Sequence, residues 1–396
     1  MGLQDTPRGE RMHIAFFGRR NVGKSSLVNA FTGQDVSVVS DVKGTTTDTV
    51  TKTMELLPIG PVVIIDTPGF DDEGALGQKR VARTRQVLDR ADAAVLVTVA
   101  GRPFDAGEQA MLGLFREKDI PYLIAYNKCD LVDSDEPLRV SALTGEGIDA
   151  LREAVSRLRP DAAPQRRLLG DLIAPGDTVL LITPIDSAAP KGRLILPQQQ
   201  AVRDALDRGA MALVAQQDRI GEALASLSRK PALAVTDSQV FETADQAVPR
   251  DVPLTSFSIL MARYKGFLTP AVAGVKALDR LRDGDRVLIS EGCTHKRQCG
   301  DIGTVKLPAW IRAHTGKDIL FEHTAGGDFP EDLTGTALVV HCGGCMLTPR
   351  EVCLRAERAI GQGVPFTNYG VAIAYMKGIL ARSLSPLPEV REVLET

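Results

Sequence analysis

The feature that most constrains this chain is Gly18-Arg-Arg-Asn-Val-Gly23-Lys24-Ser25, which fits the pattern GxxxxGKS. It lies between an apolar, β-rich run, His13–Phe17, and a helical pattern that begins at Lys24, the strand–loop–helix context in which such a loop works. Glycines at these positions let backbone amides wrap phosphate oxygens at a helix N-terminus, where the peptide dipoles favour negative charge. Lys24 can then reach the outer phosphates, and the Ser25 hydroxyl can ligate magnesium. Val22 and Ser26, flanking the Gly23–Ser25 turn, are expected to touch the same nucleotide.

Residues 1–163 alternate short apolar runs (His13–Phe17, Val62–Ile65, Ala94–Val99, Tyr122–Tyr126) with helical patterns, which implies a largely parallel sheet wrapped by helices. The whole chain has 396 residues, beyond the roughly 250–300 at which single cores stop growing, so two or three domains are expected. Pro160-Asp-Ala-Ala-Pro164 reads as a linker. Region 166–262 has apolar runs at Val179–Ile182, Leu194–Leu196, Ala212–Val214 and Ala232–Val235, and is α/β again. Region 263–396 opens on a helical pattern through Val272–Leu281 and offers strands at Arg286–Ser290, Ile319–Glu322 and Ala337–His341. The expected fold class is α/β throughout, a P-loop domain with a mixed sheet followed by two further α/β domains. No internal repeat or low-complexity tract stands out.

Two further motifs complete a nucleotide site. Asp66-Thr-Pro-Gly69 closes the run Val62–Ile65, placing a carboxylate to hold magnesium through water and the Gly69 amide near a γ-phosphate. Asn127-Lys128-Cys129-Asp130 follows another strand, and the Asp130 carboxylate can accept from guanine N1 and its 2-amino group, which adenine lacks. The selected nucleotide is GTP. Ser141-Ala142 stands where a backbone amide meets the guanine carbonyl oxygen. In this order the motifs resemble the translation-factor-like class of P-loop GTPases. Within that class Lys43-Gly-Thr-Thr46-Thr-Asp48 is similar to switch I, with Thr46 completing the magnesium shell, and Lys24, Thr46 and Gly69 serving hydrolysis. Phe70 stands where Ras-like enzymes have the water-orienting glutamine, so hydrolysis is expected to be slow. Asn21, with the loop Ser37–Thr45, resembles the GTPases that use potassium as a charge-neutralising element; the blander reading is a solvent-facing loop residue. The acidic run Asp71, Asp72 and Glu73 could position water, though a solvated loop accounts for it as well.

Charge excludes some classes. A net charge of −3 gives no global basic field, which disfavours a nucleic-acid partner. No apolar run approaches the roughly 18–20 residues that cross a bilayer, and the N-terminal segment lacks the apolar core of a signal peptide. A cytoplasmic protein is expected, although Met1-Gly2 with Thr6 fits the loose myristoylation pattern. In that compartment six cysteines are thiols or metal ligands rather than disulfides. Cys129 occupies the variable position of its motif and is read as inert.

The other five cysteines fall in the last third. Cys293-Thr-His295 and His341-Cys342-Gly-Gly-Cys345 form two groups, each directly after a strand candidate. If those strands are parallel neighbours, both groups converge at their carboxyl ends. Zinc held by Cys293, His295, Cys342 and Cys345 and an iron–sulfur cluster suit this spacing equally. Cys299 could be an alternate ligand, and Cys353, in the helical pattern Pro349–Ile360, reads as a small buried residue. His13, His314 and His323 have no metal-ligand spacing.

A P-loop GTPase region followed by two α/β regions, with CxH upstream of HCGGC, resembles the HydF family of di-iron (FeFe) hydrogenase maturation GTPases; Pro184–Gln198 is similar to that family's middle domain. The resemblance implies a 4Fe-4S cluster on Cys293, Cys342 and Cys345. Its fourth position would be labile or filled by His295, with His341 second. It also implies a homodimer formed through 166–262, and a scaffold role: a two-iron precursor received from radical maturation enzymes and delivered to apo-hydrogenase. Against it stand a GTPase with a structural zinc domain and a tRNA-modification or ribosome-assembly GTPase. The latter calls for a basic appendage or a C-terminal catalytic cysteine that the sequence does not show.

Overall fold

A computed structural model describes residues 7–33, 50–70, 84, 86–158, 167–184, 194–293 and 301–395. The chain divides into two compact units, Met1–Pro164 and Gln165–Thr396.

The first unit is built on a five-stranded sheet of order β2-β3-β1-β4-β5, with β1 Met12–Gly18, β2 Val50–Leu56, β3 Gly60–Asp66, β4 Ala93–Val99 and β5 Tyr122–Asn127. All pairs are parallel except β2 with β3. The continuous apolar runs of β1 and β4 are buried on both faces, with Phe16, Ile14, Val95 and Val97 in one core layer and Phe17, Ala15, Ala94 and Leu96 in the other. That two-sided burial is what a parallel sheet covered by helices demands. Strand β2 escapes sequence reading because its polar-rich run Val50-Thr-Lys-Thr-Met-Glu-Leu56 buries only two residues.

The second unit contains two four-stranded sheets, β7-β6-β8-β9 and β11-β10-β12-β13, each wholly parallel. The first comprises β6 Thr178–Ile182, β7 Met211–Ala215, β8 Leu233–Thr236 and β9 Leu254–Ser256. The second comprises β10 Arg286–Glu291, β11 Leu320–Ala325, β12 Thr336–His341 and β13 Phe366–Asn368. The apolar run at Leu194–Leu196 is no strand: Leu196 opens the helix Leu196–Asp207, with Pro197 in its first turn. The helical pattern at Val272–Leu281 begins earlier, as the helix Leu268–Gly274, and tightens into a 3-10 segment Val275–Arg280.

The two sheets are copies of one plan. Val179 pairs with Ala212 and Leu233, and Val287 pairs with Phe321 and Leu338; Ala234 meets Leu254 as Val339 meets Phe366. Matching turns use matching bonds: the Asp177 carboxylate accepts from Ala174 N and the Asp285 carboxylate from Arg282 N, both at 2.7 Å. Each copy passes from its last strand into a helix capped by a polar residue, Ser256 or Asn368, within Pro253-Leu-Thr-Ser-Phe257 and Pro365-Phe-Thr-Asn-Tyr369. The halves pack reciprocally: the helix Leu268–Gly274 lies on β13 while Leu380–Ser383 lies on β9. Gly370 N donates to the hydroxyl of its own counterpart, Ser258, at 3.1 Å. The expectation of no internal repeat is therefore overturned; the likeness is carried by register and turn geometry while most side chains differ.

Candidate nucleotide and metal sites

Strand β1 delivers the phosphate loop to the carboxyl edge of its sheet, and the helix Lys24–Thr32 starts at Lys24 behind Gly23 in the left-handed region, φ 82°. A Cβ at Gly23 would run into the Asn127 amide, so the loop and the guanine-recognition segment are fitted to one another. Asn127, 1 % exposed, donates from Nδ2 to Val22 O at 2.8 Å and accepts from Ala142 N at 3.1 Å. Lys128 Nζ donates to Asn21 O at 2.7 Å, and Asn21 also has a left-handed φ of 62°. The Asp130 carboxylate accepts from the Ser141 hydroxyl at 2.6 Å, and that hydroxyl in turn caps Leu143 N and Thr144 N. A cleft of about 460 Å³ opens beside Ser26, Asn29, Ala30, Gly33 and Ala142.

Two of the motifs meet directly: the Lys24 ammonium pairs with the Asp66 carboxylate, both largely buried. Thr67 fastens the second motif to β1, its hydroxyl donating to Phe16 O at 2.7 Å. Phe70, partly buried, packs against the core beside Gly107. Thr46, Ser37–Thr45, Asp71, Asp72 and Glu73 lie outside the described residues. Sequence reasoning missed Arg19, which pairs with Asp105, the N-cap of the helix Ala106–Glu117; nothing local in the motif announces that partner. Cys129 is buried, and burial raises its thiol pKa, which suits an inert side chain. Because Asn127 joins three segments through buried bonds, Asn127→Ala is expected to leave Val22 O and Ala142 N unsatisfied. The cost should be about 1–3 kcal/mol of stability, with weakened guanine-nucleotide binding, read by chemical denaturation and nucleotide titration.

In the third sheet, β10 and β12 are parallel neighbours. The connection from β10 runs to β11 on one side while β12 and β13 lie on the other, which makes their carboxyl ends the switch point where ligands gather in open α/β sheets. Cys293 stands two residues after β10 and Cys342 directly after β12. Gly292 N donates to Cys342 Sγ at 3.1 Å and Gly344 N at 3.4 Å, the pattern that tunes thiolate sulfur in metal centres. Glycine is required at both places. Gly344 has φ 68°, and a Cβ on Gly292 would strike Leu347 at 2.7 Å.

Burial pushes the thiols of Cys342 and Cys345 up, the latter to about 12 with Cys342 adding to the rise; metal coordination is what would deprotonate them. Among the described residues, no group of three or more Cys, His, Asp and Glu is gathered tightly enough to hold a metal ion. His295 and Cys299 lie outside the described residues. Two thiols on one turn, a third just beyond the adjoining strand end and N–H groups that donate to Cys342 sulfur are the donor types a thiolate-ligated cluster takes.

His341 drops out as a ligand. It is fully buried, its Nδ1–H donates to Cys342 O at 2.8 Å, and its Nε2 accepts from Arg355 at 3.2 Å. Burial, then the Arg355 charge, push its pKa down to about 3, so the ring is a neutral prop. Arg355 also holds Glu351 and Gly326 O. Cys353 Sγ donates to Lys265 O at 3.3 Å. His314 pairs with Asp279 at 2.8 Å, and His13 is buried against Arg11 O.

Comparison with known proteins follows the same division. Residues 13–128 match the model described as 50S ribosome-binding GTPase, residues 168–266 the Hydrogen maturase F dimerization domain, and residues 269–386 the Hydrogen maturase F tetramerization domain. Curated relatives include the tRNA modification GTPases MnmE of Laribacter hongkongensis, 38% identical over 157 residues (37% of this chain, 34% of the relative), and of Chromobacterium violaceum, 37% identical over 153 residues (36% and 34%). This chain thus spans about a third of their length, in the GTPase domain only. Among solved structures, the G domain of the T. maritima FeoB iron transporter is 22% identical, covering 38% of this chain and all of its own, with a TM-score of 0.31. Among the described residues no helix is long and apolar enough to cross a membrane. The two maturase models together cover more than half of the residues and follow a GTPase domain in unbroken order, and this chain belongs to the hydrogen maturase F family.

Proposed function

We propose that this chain is a GTP-hydrolysing scaffold that carries a 4Fe-4S cluster and delivers the two-iron precursor of the active site to apo-hydrogenase. The observation that supports this reading is the placement of Cys293 and the Cys342–Cys345 turn after the carboxyl ends of neighbouring parallel strands, beside N–H groups that donate to Cys342 sulfur. Cys293, Cys342 and Cys345 would hold the cluster, and His295 is the remaining protein candidate for its fourth iron. When bound, the cluster supplies an incompletely ligated iron at which another iron unit can dock and depart. A homodimer through 166–262 and a cluster domain over 263–396 complete the assignment, with the GTP domain at 1–163. The radical maturation enzymes and apo-hydrogenase are its partners, in the cytoplasm.

In the GTP domain the geometry supports a division of labour. The amides from Gly18 to Ser26 cradle the phosphates, and Lys24 leaves Asp66 for the outer phosphates. Ser25, Thr46 and, through water, Asp66 would hold the magnesium ion. Gly69 addresses the γ-phosphate. Asp130, Lys128, Ser141 and Ala142 hold guanine. With Phe70 packed against the core, no glutamine stands there to orient water, and Asn21 would hold potassium as the neutralising charge. GTP turnover in potassium should exceed that in sodium on the order of tenfold, the effect of about 1.4 kcal/mol of added transition-state contact; equal rates remove Asn21 from the mechanism.

Anaerobic reconstitution with iron and sulfide, followed by EPR and metal analysis, tests the whole reading. A 4Fe-4S signal supports it, whereas stoichiometric zinc with no cluster after reconstitution replaces it with a GTPase carrying a structural metal.

A further inference from the structure

Asp105 has two jobs in the first unit, and only one of them is local. As N-cap of the helix Ala106–Glu117 it supplies Oδ1, which accepts from Glu108 N at 2.9 Å, while Glu108 Oε2 accepts from Asp105 N at 3.1 Å. Serine or asparagine would cap as well. Its other carboxylate oxygen meets two cations, Arg19 of the phosphate loop and Arg102 at 3.4 Å. The mount is firm. Glu108 is fully buried, and its Oε1 accepts from Arg102 Nη2 at 2.6 Å and from the Thr98 hydroxyl of β4 at 2.8 Å. Burial alone would raise the Asp105 carboxyl pKa, yet the bonds from Glu108 N, Arg19 and Arg102 hold it below its ordinary value, so the side chain stays charged.

The same turn carries Phe70. A Cβ at Gly107 would stand 3.2 Å from the Phe70 ring and 3.3 Å from Asp105 Oδ1, so ring, glycine and carboxylate pack in one place. Phe70 directly follows Gly69, the residue assigned to the γ-phosphate. One helix turn therefore touches both the loop that wraps the phosphates and the neighbour of the group that meets the phosphate removed by hydrolysis.

We propose that Asp105 is a positioning residue for GTP hydrolysis: through Arg19 it fixes the phosphate loop, and through the turn at Gly107 it fixes Phe70, so that the two sides of the γ-phosphate site keep one spacing. Lys128 and Asn127 fasten the same loop at Asn21 O and Val22 O, from the guanine-recognition segment. This inference rests on the reading of Gly18–Ser25 and Gly69 as phosphate contacts.

The test uses the full chain with magnesium and potassium, and compares kcat for GTP with the dissociation constant of GDP in the unsubstituted protein and in Asp105→Asn, Arg19→Met, Arg19→Lys, Gly107→Ala and Glu153→Gln. Asp105→Asn keeps the cap and drops the charge. Its kcat should fall about two- to thirtyfold, the span over which residues that touch no ligand shift a coupled site. That fall should exceed any weakening of GDP binding, since Lys128 and Asn127 still hold the loop. Arg19→Met should match it, and the double variant should fall no further than either alone, because both changes remove one interaction. Arg19→Lys should recover most of the rate, and Gly107→Ala should lower kcat at unchanged GDP affinity. Glu153→Gln, at an exposed ion pair of the same unit, should change neither. If Asp105→Asn fails to fold, Arg19→Met, which leaves the helix cap untouched, carries the same prediction. An unshifted kcat in Arg19→Met or Gly107→Ala, losses that multiply in the double variant, or a fall in kcat no greater than the loss of GDP affinity overturns the proposal. Undiminished turnover in Lys24→Ala overturns the phosphate-loop reading and this inference together, whereas a slowed Lys24→Ala beside a normal Arg19→Met overturns this inference alone.

Discussion

Replacing Cys342 with alanine should abolish the 4Fe-4S EPR signal of the anaerobically reconstituted chain and most of its bound iron. Two backbone amides, those of Gly292 and Gly344, donate to its sulfur, and it stands directly after β12 at the sheet's switch point. Alanine removes the thiolate and leaves those amides facing a methyl group. The loss of two weak bonds costs roughly 1–3 kcal/mol, small beside a core that runs through β10, β12 and the helix Pro349–Gly361, so circular dichroism should still report a folded protein. Cys353→Ala provides the contrast: its sulfur is engaged with Lys265 O and the cluster should persist. A normal signal in Cys342→Ala, with iron retained, would reassign the ligands and remove the switch-point crevice as the cluster site.

The second large effect is expected in the other unit. Lys24→Ala should lower kcat/KM for GTP by at least about a hundredfold, the usual loss when one preorganised charge or donor at the reacting phosphate is removed. Lys24 opens its helix behind the left-handed turn at Gly23 and is 7% exposed, so no neighbouring lysine on that helix can replace it. The substitution also strips Asp66 of its cation, which is expected to lower stability by about 1–3 kcal/mol. A magnesium–GTP titration separates the two effects, because nucleotide binding should weaken even where the fold is intact. Cluster reconstitution should be unaffected, since Cys293, Cys342 and Cys345 belong to the other compact unit. Undiminished turnover would show that hydrolysis does not run through this loop.

Motifs whose chemistry is local were legible in the sequence. The loop Gly18–Ser25 declares itself because positive φ and bare amides need glycine at fixed spacing. The continuous apolar runs of β1, β3, β4 and β5 are what a parallel sheet buried on both faces requires. The cysteine groups were visible for the same reason, each following an apolar strand. The short strands β9 and β13 were not, because three residues carry no periodicity.

By itself, then, the sequence determined the α/β class, the nucleotide motifs and the cysteine positions, all encoded within a few residues of one another. Only the tertiary structure decided that β10 and β12 are neighbours, that His341 is a sealed prop rather than a ligand, and that residues 165–396 repeat one plan. It alone brought Asp105, 86 positions beyond Arg19, against the phosphate loop. Strand order, register and burial of a charge depend on contacts between distant segments, which no local run of residues encodes.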